Sequence, residues 1–198
     1  RRNRDLAFLN RIIAASAMVQ TTDVLLETVC RELAQFLGAP RAAALLLDET
    51  GTGATVVAEY QTTNYASSLG ETRNPAASPA VERLLAGALP CVVDNVRTDP
   101  KLAGAAEFEL RDTVSWLLLP LCIQGVVVGG LEVDSTVLRP FSAEEVDLAQ
   151  RVADQVSNAM SRAQLEETQR RLSAAVEQAA EAVVITDADS TILYANPA

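Results

Sequence analysis

The sequence predicts an α/β chain of the α+β type: a central, mainly antiparallel sheet with helices flanking it at both ends. Three observations carry that prediction. Ser115–Ser135 holds two apolar runs, Trp116–Ile123 and Val126–Val133, joined by Gln124-Gly125, a dipeptide suited to a two-residue hairpin turn. Ala42–Asp48 and Ala54–Gln61 form a second pair of strand-like runs around the turn residues Asp48-Glu49-Thr50-Gly51-Thr52-Gly53. Outside these pairs, apolar residues recur at helical spacing, over Asn3–Gln20 and the stretch to Leu37 on one side and from Ser142 on the other.

In the first helix the expected inward stripe is Leu6, Leu9, Ile13, Ala17 and Val19, with Arg1, Arg2, Arg4 and Arg11 outside it. Thr21-Thr22-Asp23 supplies an N-cap for the second helix, which ends at Gly38 before Pro40. Val29, Leu33, Phe36 and Leu37 share one face of it and are expected to lie on the sheet. Thr62–Ser78 is a polar irregular segment of the kind that often forms a lid. Ser78 caps a short helix over Pro79–Leu89, with Val81, Leu84 and Leu85 inward. Cys91–Asp94 is a third strand candidate, and Lys101–Asp112 a short helical piece carrying Leu102, Phe108 and Leu110.

The central hairpin follows. Neither of its strands alternates cleanly, so both faces are covered and it sits centrally in the sheet. Pro120 cannot donate to a ladder and predicts a bulge or an unpaired edge. Ser142 and Glu145 form a capping box that opens the last long helix. From Arg162 that helix turns polar while Leu165, Leu172 and Ala179 recur every seven residues, a narrow seam of the type that pairs with a partner helix. Ala182–Asp187 and Thr191–Tyr194 then make two further strands around Ala188-Asp189-Ser190.

The chain has 198 residues, 49% of them apolar and 21% charged, with a net charge of −10 and no His. An acidic surface disfavours nucleic acid and anionic lipid as partners, and no apolar run approaches a membrane span. The chain opens on Arg and shows no leader pattern, so it reads as a piece of a longer cytoplasmic protein. Cys30, Cys91 and Cys122 lack Cys-x-x-Cys spacing and read as small buried hydrophobes. Without His there is no His-based triad and no usual haem ligand, and no metal site is expected.

Several short motifs, in order, resemble the GAF domain family. They are Leu37-Gly38-Ala39, Leu45-Leu46-Leu47-Asp48, Val93-Asp94-Asn95-Val96, Ser115–Pro120, Gly129-Gly130-Leu131-Glu132-Val133, and Pro140-Phe141-Ser142 with Glu145. Glu181–Asp187 through Ile192–Pro197 resembles the first two strands of a PAS domain. The resemblance divides the chain into a connecting helix at 1–20, a GAF domain at 21–162, a coiled-coil-like linker at 163–180 and the start of a PAS domain at 181–198. It implies a sensory module of a bacterial multidomain protein, with a histidine kinase or a cyclic-dinucleotide enzyme as the output, and no catalysis in this piece.

The family's ligand lies between one sheet face and the loops and short helices over it. Carried onto this sequence, the pocket candidates are Tyr60, Val93, Asp94, Phe108, Asp112 and Trp116, with Asp94 and Glu132 facing solvent as the bland reading. The resemblance leaves the cofactor unknown. Cyclic-nucleotide-binding members carry an Asn-Lys…Phe-x-x-x-Asp-Glu set. Here Phe108 and Asp112 keep that spacing, but Val96 follows Asn95 and Thr113 follows Asp112. The bilin-binding members' Asp-Ile-Pro segment and Cys-His pair do not occur. The leading expectation is a small-molecule sensor and homodimer, paired through Val152, Val156, Ala159, Ala163, Leu165 and Leu172. The alternatives are a cyclic-nucleotide receptor or a scaffold with no ligand.

Overall fold

The computed structural model describes residues 2–18, 21–62 and 67–198. By its internal contacts the chain divides into two compact units, one ending at Met160 and one beginning at Ser161.

The first unit opens with α1 (Arg2–Met18) and α2 (Thr22–Leu37). Thr21 holds the N-cap position of α2 in an extended conformation without a side-chain cap. Gly38, at φ 61°, ends the helix in the left-handed conformation, and the Ala39 N–H returns to the Ala34 carbonyl at 2.9 Å. Glycine reaches that φ without the steric cost a Cβ brings, so the chain can turn directly into the sheet.

The sheet has six strands: β1 (Arg41–Leu47), β2 (Ala54–Gln61), β3 (Thr72–Arg73), β4 (Cys91–Val93), β5 (Ser115–Ile123) and β6 (Val126–Ser135). Their order is β3-β2-β1-β6-β5-β4, and every pairing is antiparallel. Gln124 and Gly125 turn β5 into β6 with φ of 51° and 80°, the positive values a two-residue hairpin turn needs. Pro120 itself stays in register opposite Gly130, and the register shift falls one residue later, between Leu121 and Cys122. Because β4 pairs only with Trp116–Leu118, the outer side of β5 at Pro120 carries no strand partner.

One sheet face is covered by α2 and by α5 (Ala143–Glu177). The side chains there are Ala42, Ala44, Ala58, Leu117, Leu119, Leu121, Leu131 and Val133, meeting Leu26, Val29, Leu33, Val152 and Val156. Ser142 and Glu145 exchange the two hydrogen bonds of a capping box, at 3.2 and 3.0 Å, so α5 begins where the motif places it. Among the described side chains of α1, Phe8 and Ile12 are buried and Leu9 half-buried, while Leu6 and Ile13 are exposed, which corrects the expected stripe at those two positions. Phe8 stacks on Phe36 at 4.3 Å, and that partner selects the Phe8/Ile12 stripe over its neighbour. Val19 lies outside the described residues.

The other face carries α3 (Pro79–Ala86), α4 (Ala106–Glu109) and the segments between them. Ser78 caps α3 as expected, accepting from the Val81 N–H. Leu85, expected inside, is exposed, as is Leu110. The strand β3 inside the polar segment after Thr62 was not legible in the sequence. A Cβ at Gly130 would meet Leu84 Cδ1 at 2.8 Å, and one at Gly129 would run into the Leu45 carbonyl oxygen. The Gly129-Gly130 pair therefore lets α3 and β1 approach β6 closely.

The second unit holds the end of α5 and a two-stranded hairpin, β7 (Val184–Thr186) and β8 (Ile192–Ala195). Asn196 ties its ends together. Its amide donates to the Val176 and Glu181 carbonyls at 3.2 and 3.0 Å and accepts from the Val183 N–H at 2.7 Å.

Candidate functional site

Strand alternation sends every second side chain of β1, β5 and β6 to the face beneath α3 and α4. On β6 these are Glu132 and Asp134, on β1 Arg41 and Ala43, and on β5 Trp116 and Leu118. Alternating acid and apolar residues along a strand ordinarily mark a solvated face. Here the face is covered, so Arg41, Glu132 and Asp134 are buried, and the expectation that Glu132 faces solvent is corrected.

These charges are joined in one network. Arg41 Nε donates to Glu59 Oε1 at 2.7 Å, Nη2 to Ser68 Oγ at 2.8 Å, and Nη1 to Asp134. The Thr113 hydroxyl donates to the other Asp134 oxygen at 3.2 Å. Arg73, brought to this face opposite Ala54, donates through Nη1 to both Glu132 oxygens at 3.2 Å. The same Nη1 lies 3.4 Å from Glu107 Oε2. Glu107 in turn accepts from the Ser78 hydroxyl and from the Ala80 N–H in the first turn of α3, at 2.7 and 3.1 Å. The network therefore ties β1, β2, β3 and β6 to both covering helices.

Its groups titrate differently from free ones. Burial alone would raise the Glu59 carboxyl, but hydrogen bonds from Ser67, Ser68 and Arg41 hold it down at about 2. Burial, and next the negative charge of Glu132, push Glu107 up. Burial lowers Arg111, and the nearby positive charge of Arg41 adds to that. Cys30, buried on the helix side, has its thiol pushed up to about 12 by burial, which suits a packing role rather than a reactive one.

The structure brings three of the expected pocket residues together. Val93, Phe108 and Trp116 share one cluster under α3 and α4, with the Phe108 and Trp116 rings edge to face at 5.2 Å. Tyr60 is elsewhere: it packs with the helix-side core, opposite Ala42. The reason is a bulge. Between the pairs Ala44–Ala58 and Leu45–Val56 one residue of β2, Val57, is extra, and it reverses the facing of everything after it. Glu59 takes the place that unbroken alternation assigns to Tyr60. Asp94 and Asp112 are exposed, away from this cluster.

The seam expected on α5 also divides. Val152, Val156 and Ala159 are buried against the chain's own sheet, while Ala163, Leu165 and Leu172 are exposed. Charged residues of the network other than Glu132 escaped sequence reasoning. The usable signals were the period-two Leu131-Glu132-Val133-Asp134 pattern and the single Arg41 opening an apolar strand. Among the described residues no helix is long and apolar enough to cross a membrane.

No curated protein matches the chain in sequence. Solved structures do match in fold. The GAF domain of a phosphoenolpyruvate-protein phosphotransferase from Coxiella burnetii is 16% identical, with 83% of this chain and 97% of that one covered at a TM-score of 0.72. The phycoerythrobilin-bound GAF domain of a cyanobacterial phytochrome is 18% identical, covering 82% and 97% at 0.69. Residues 122 to 287 of a methyl-accepting chemotaxis protein are 20% identical, covering 79% and 98% at 0.69. The GAF domain family model matches residues 21–160, most of the chain and the whole six-stranded sheet, and the chain belongs to that family.

Proposed function

We propose that this chain is a non-enzymatic sensory and regulatory GAF module of a cytoplasmic signalling protein. It takes a small molecule on the sheet face under α3 and α4 and passes the event to its terminal helices. The observation that carries this reading is the buried charge network. It joins that face to both covering helices, so a ligand that competes for one of its partners changes how the cover is held. A ligand moves such an equilibrium only by its differential affinity for the two arrangements.

In this reading, residues 1–20 form a connecting helix, 21–162 the sensing domain, 163–180 a coiled-coil-like linker, and 181–198 the start of a PAS domain. The whole protein is a sensor histidine kinase or a similar enzyme. Leu165 and Leu172, exposed on a polar helix, support pairing with a second copy, with Ala163 on the same stretch. Light scattering of the chain at tens of micromolar tests the pairing: a dimer is expected, and a monomer contradicts it. A cyclic-nucleotide receptor is less well supported, since Asp112 is exposed and the Thr113 hydroxyl is bonded to Asp134. Calorimetry with cyclic GMP and cyclic AMP is expected to give no heat.

A further inference from the structure

The network around Glu132 and Asp134 is complete on one side of its chemistry and incomplete on the other. Its carboxylates are satisfied: Glu59 by two serines and Arg41, Asp134 by Arg41 and Thr113, Glu132 by Arg73, and Glu107 by Ser78 and Ala80. Its donors are not. Arg73 Nε, Arg73 Nη2, Arg111 Nε and Trp116 Nε1 are buried without a hydrogen-bond partner among the described residues. Arg73 is only 4% exposed, Arg111 6% and Trp116 0%. A buried donor left unmade costs far more than an average hydrogen bond gains, so four together require an explanation.

The three residues that carry these atoms lie on the face that holds the same two acids. Trp116 lies directly across from Asp134, Arg73 Nη1 holds Glu132, and Arg111 feels the charges of Arg41, Asp134, Arg73 and Glu132. Nε and Nη2 are the two nitrogens of a guanidinium that present parallel N–H groups on one edge, the fork that grips a carboxylate or phosphate bidentately. In Arg73 neither nitrogen of that edge has an acceptor, while Nη1 is engaged. Glu71, half exposed, stands 3.7 Å from Nη2, too far for a hydrogen bond. Arg111 has no carboxylate within ion-pair distance among the described residues, an expensive state for a buried charge.

All four orphans are donors, so the missing group brings acceptors. We infer that the ligand of this face is a small oxyanion, a carboxylate or phosphate group, gripped by Arg111, the open edge of Arg73 and Trp116 Nε1. The inference rests on the sensory reading above and narrows it to a ligand chemistry.

Trp116 is the only tryptophan in the chain, so its emission reports on the site directly. The test titrates the 198-residue chain with sodium acetate, sodium succinate and inorganic phosphate against chloride at equal ionic strength. A saturable change in Trp116 emission is expected with at least one of the three. At about a hundredfold excess over the midpoint the melting temperature should rise by about 5 °C or more. A response to acetate or succinate alone assigns a carboxylate, and a response to phosphate alone a phosphate group. Arg111→Met should weaken the response about tenfold or more. If that variant does not fold, Trp116→Phe is read by the melting shift, which should shrink. No saturable response to any of the three, or an unchanged response in the variant, overturns the inference. Native mass spectrometry separates it from the reading it rests on. A retained neutral or cationic molecule ends the oxyanion assignment and leaves small-molecule sensing intact. A chain that binds the anion but stays monomeric keeps the site and removes the signalling account.

Discussion

The two faces of the sheet are buried by opposite means. On the helix side, β1, β5 and β6 present Ala42, Ala44, Leu117, Leu119, Leu131 and Val133, held by apolar surface removed from water. On the other side β1 and β6 present Arg41, Glu132 and Asp134, held by mutual neutralisation, while β5 presents Trp116 and Leu118. The apolar face is stabilised by area, is tolerant of direction, and has no unmet demand. The charges of the other face, set beside the apolar cluster of Val93, Phe108, Trp116 and Leu118, are stabilised only where each has its partner, so an unpaired one makes a specific demand. That difference underlies the division proposed above, stability on one face and recognition on the other.

The sharpest way to break the comparison is to remove one member of the charged set. Asp134→Ala leaves two buried donors, Arg41 Nη1 and the Thr113 hydroxyl, without their acceptor and should cost about 4 kcal/mol in chemical denaturation. Leu119→Ala on the helix face should cost about 3 kcal/mol, the ordinary penalty of a core truncation. If the first is the milder of the two, the charged face does not depend on its pairing as described.

Acid provides the next test. The Glu59 carboxyl is held at about 2, so its contribution is full above the ordinary carboxylate range and is lost as pH falls towards that value. The denaturation midpoint should therefore drop between about pH 5 and pH 2, and Glu59→Gln should flatten that drop. Glu107 works with the opposite sign. Its raised pKa gives stability at low pH that is lost as pH rises through the folded value, so Glu107→Gln should remove a destabilising term near neutrality. Arg111→Met, with no anion present, should gain about 1 kcal/mol by removing an unpaired buried charge. The smallest effect is expected outside both faces: Arg171→Ala, which breaks an exposed pair with Glu167, should change stability by less than about 0.5 kcal/mol.

The strands other than β3, the hairpin turn, the capping box and the Gly38 helix stop were legible because each rests on local chemistry. What failed needed a tertiary partner. The stripes Leu6/Ile13 and Phe8/Ile12 both have helical spacing, and Phe36 decides between them. Tyr60 and Glu59 exchange faces because of one extra residue at Val57, which no alternation rule can register. Glu132 was expected to face solvent because the cover from α3 and α4 comes from distant segments. Of the pocket, the apolar part (Val93, Phe108 and Trp116) could be found from the family resemblance. The charged part could not, since single Arg and Glu residues in a sequence look like surface until their partners are placed.

Amide hydrogen exchange with and without saturating succinate or phosphate tests the central claim most directly. The account predicts added protection around Arg73, Arg111 and Trp116 and in α3, with the amides of α2 unchanged. Protection that rises uniformly over the whole sheet and α2, or nowhere, would contradict the division between a face that holds the fold and a face that recognises.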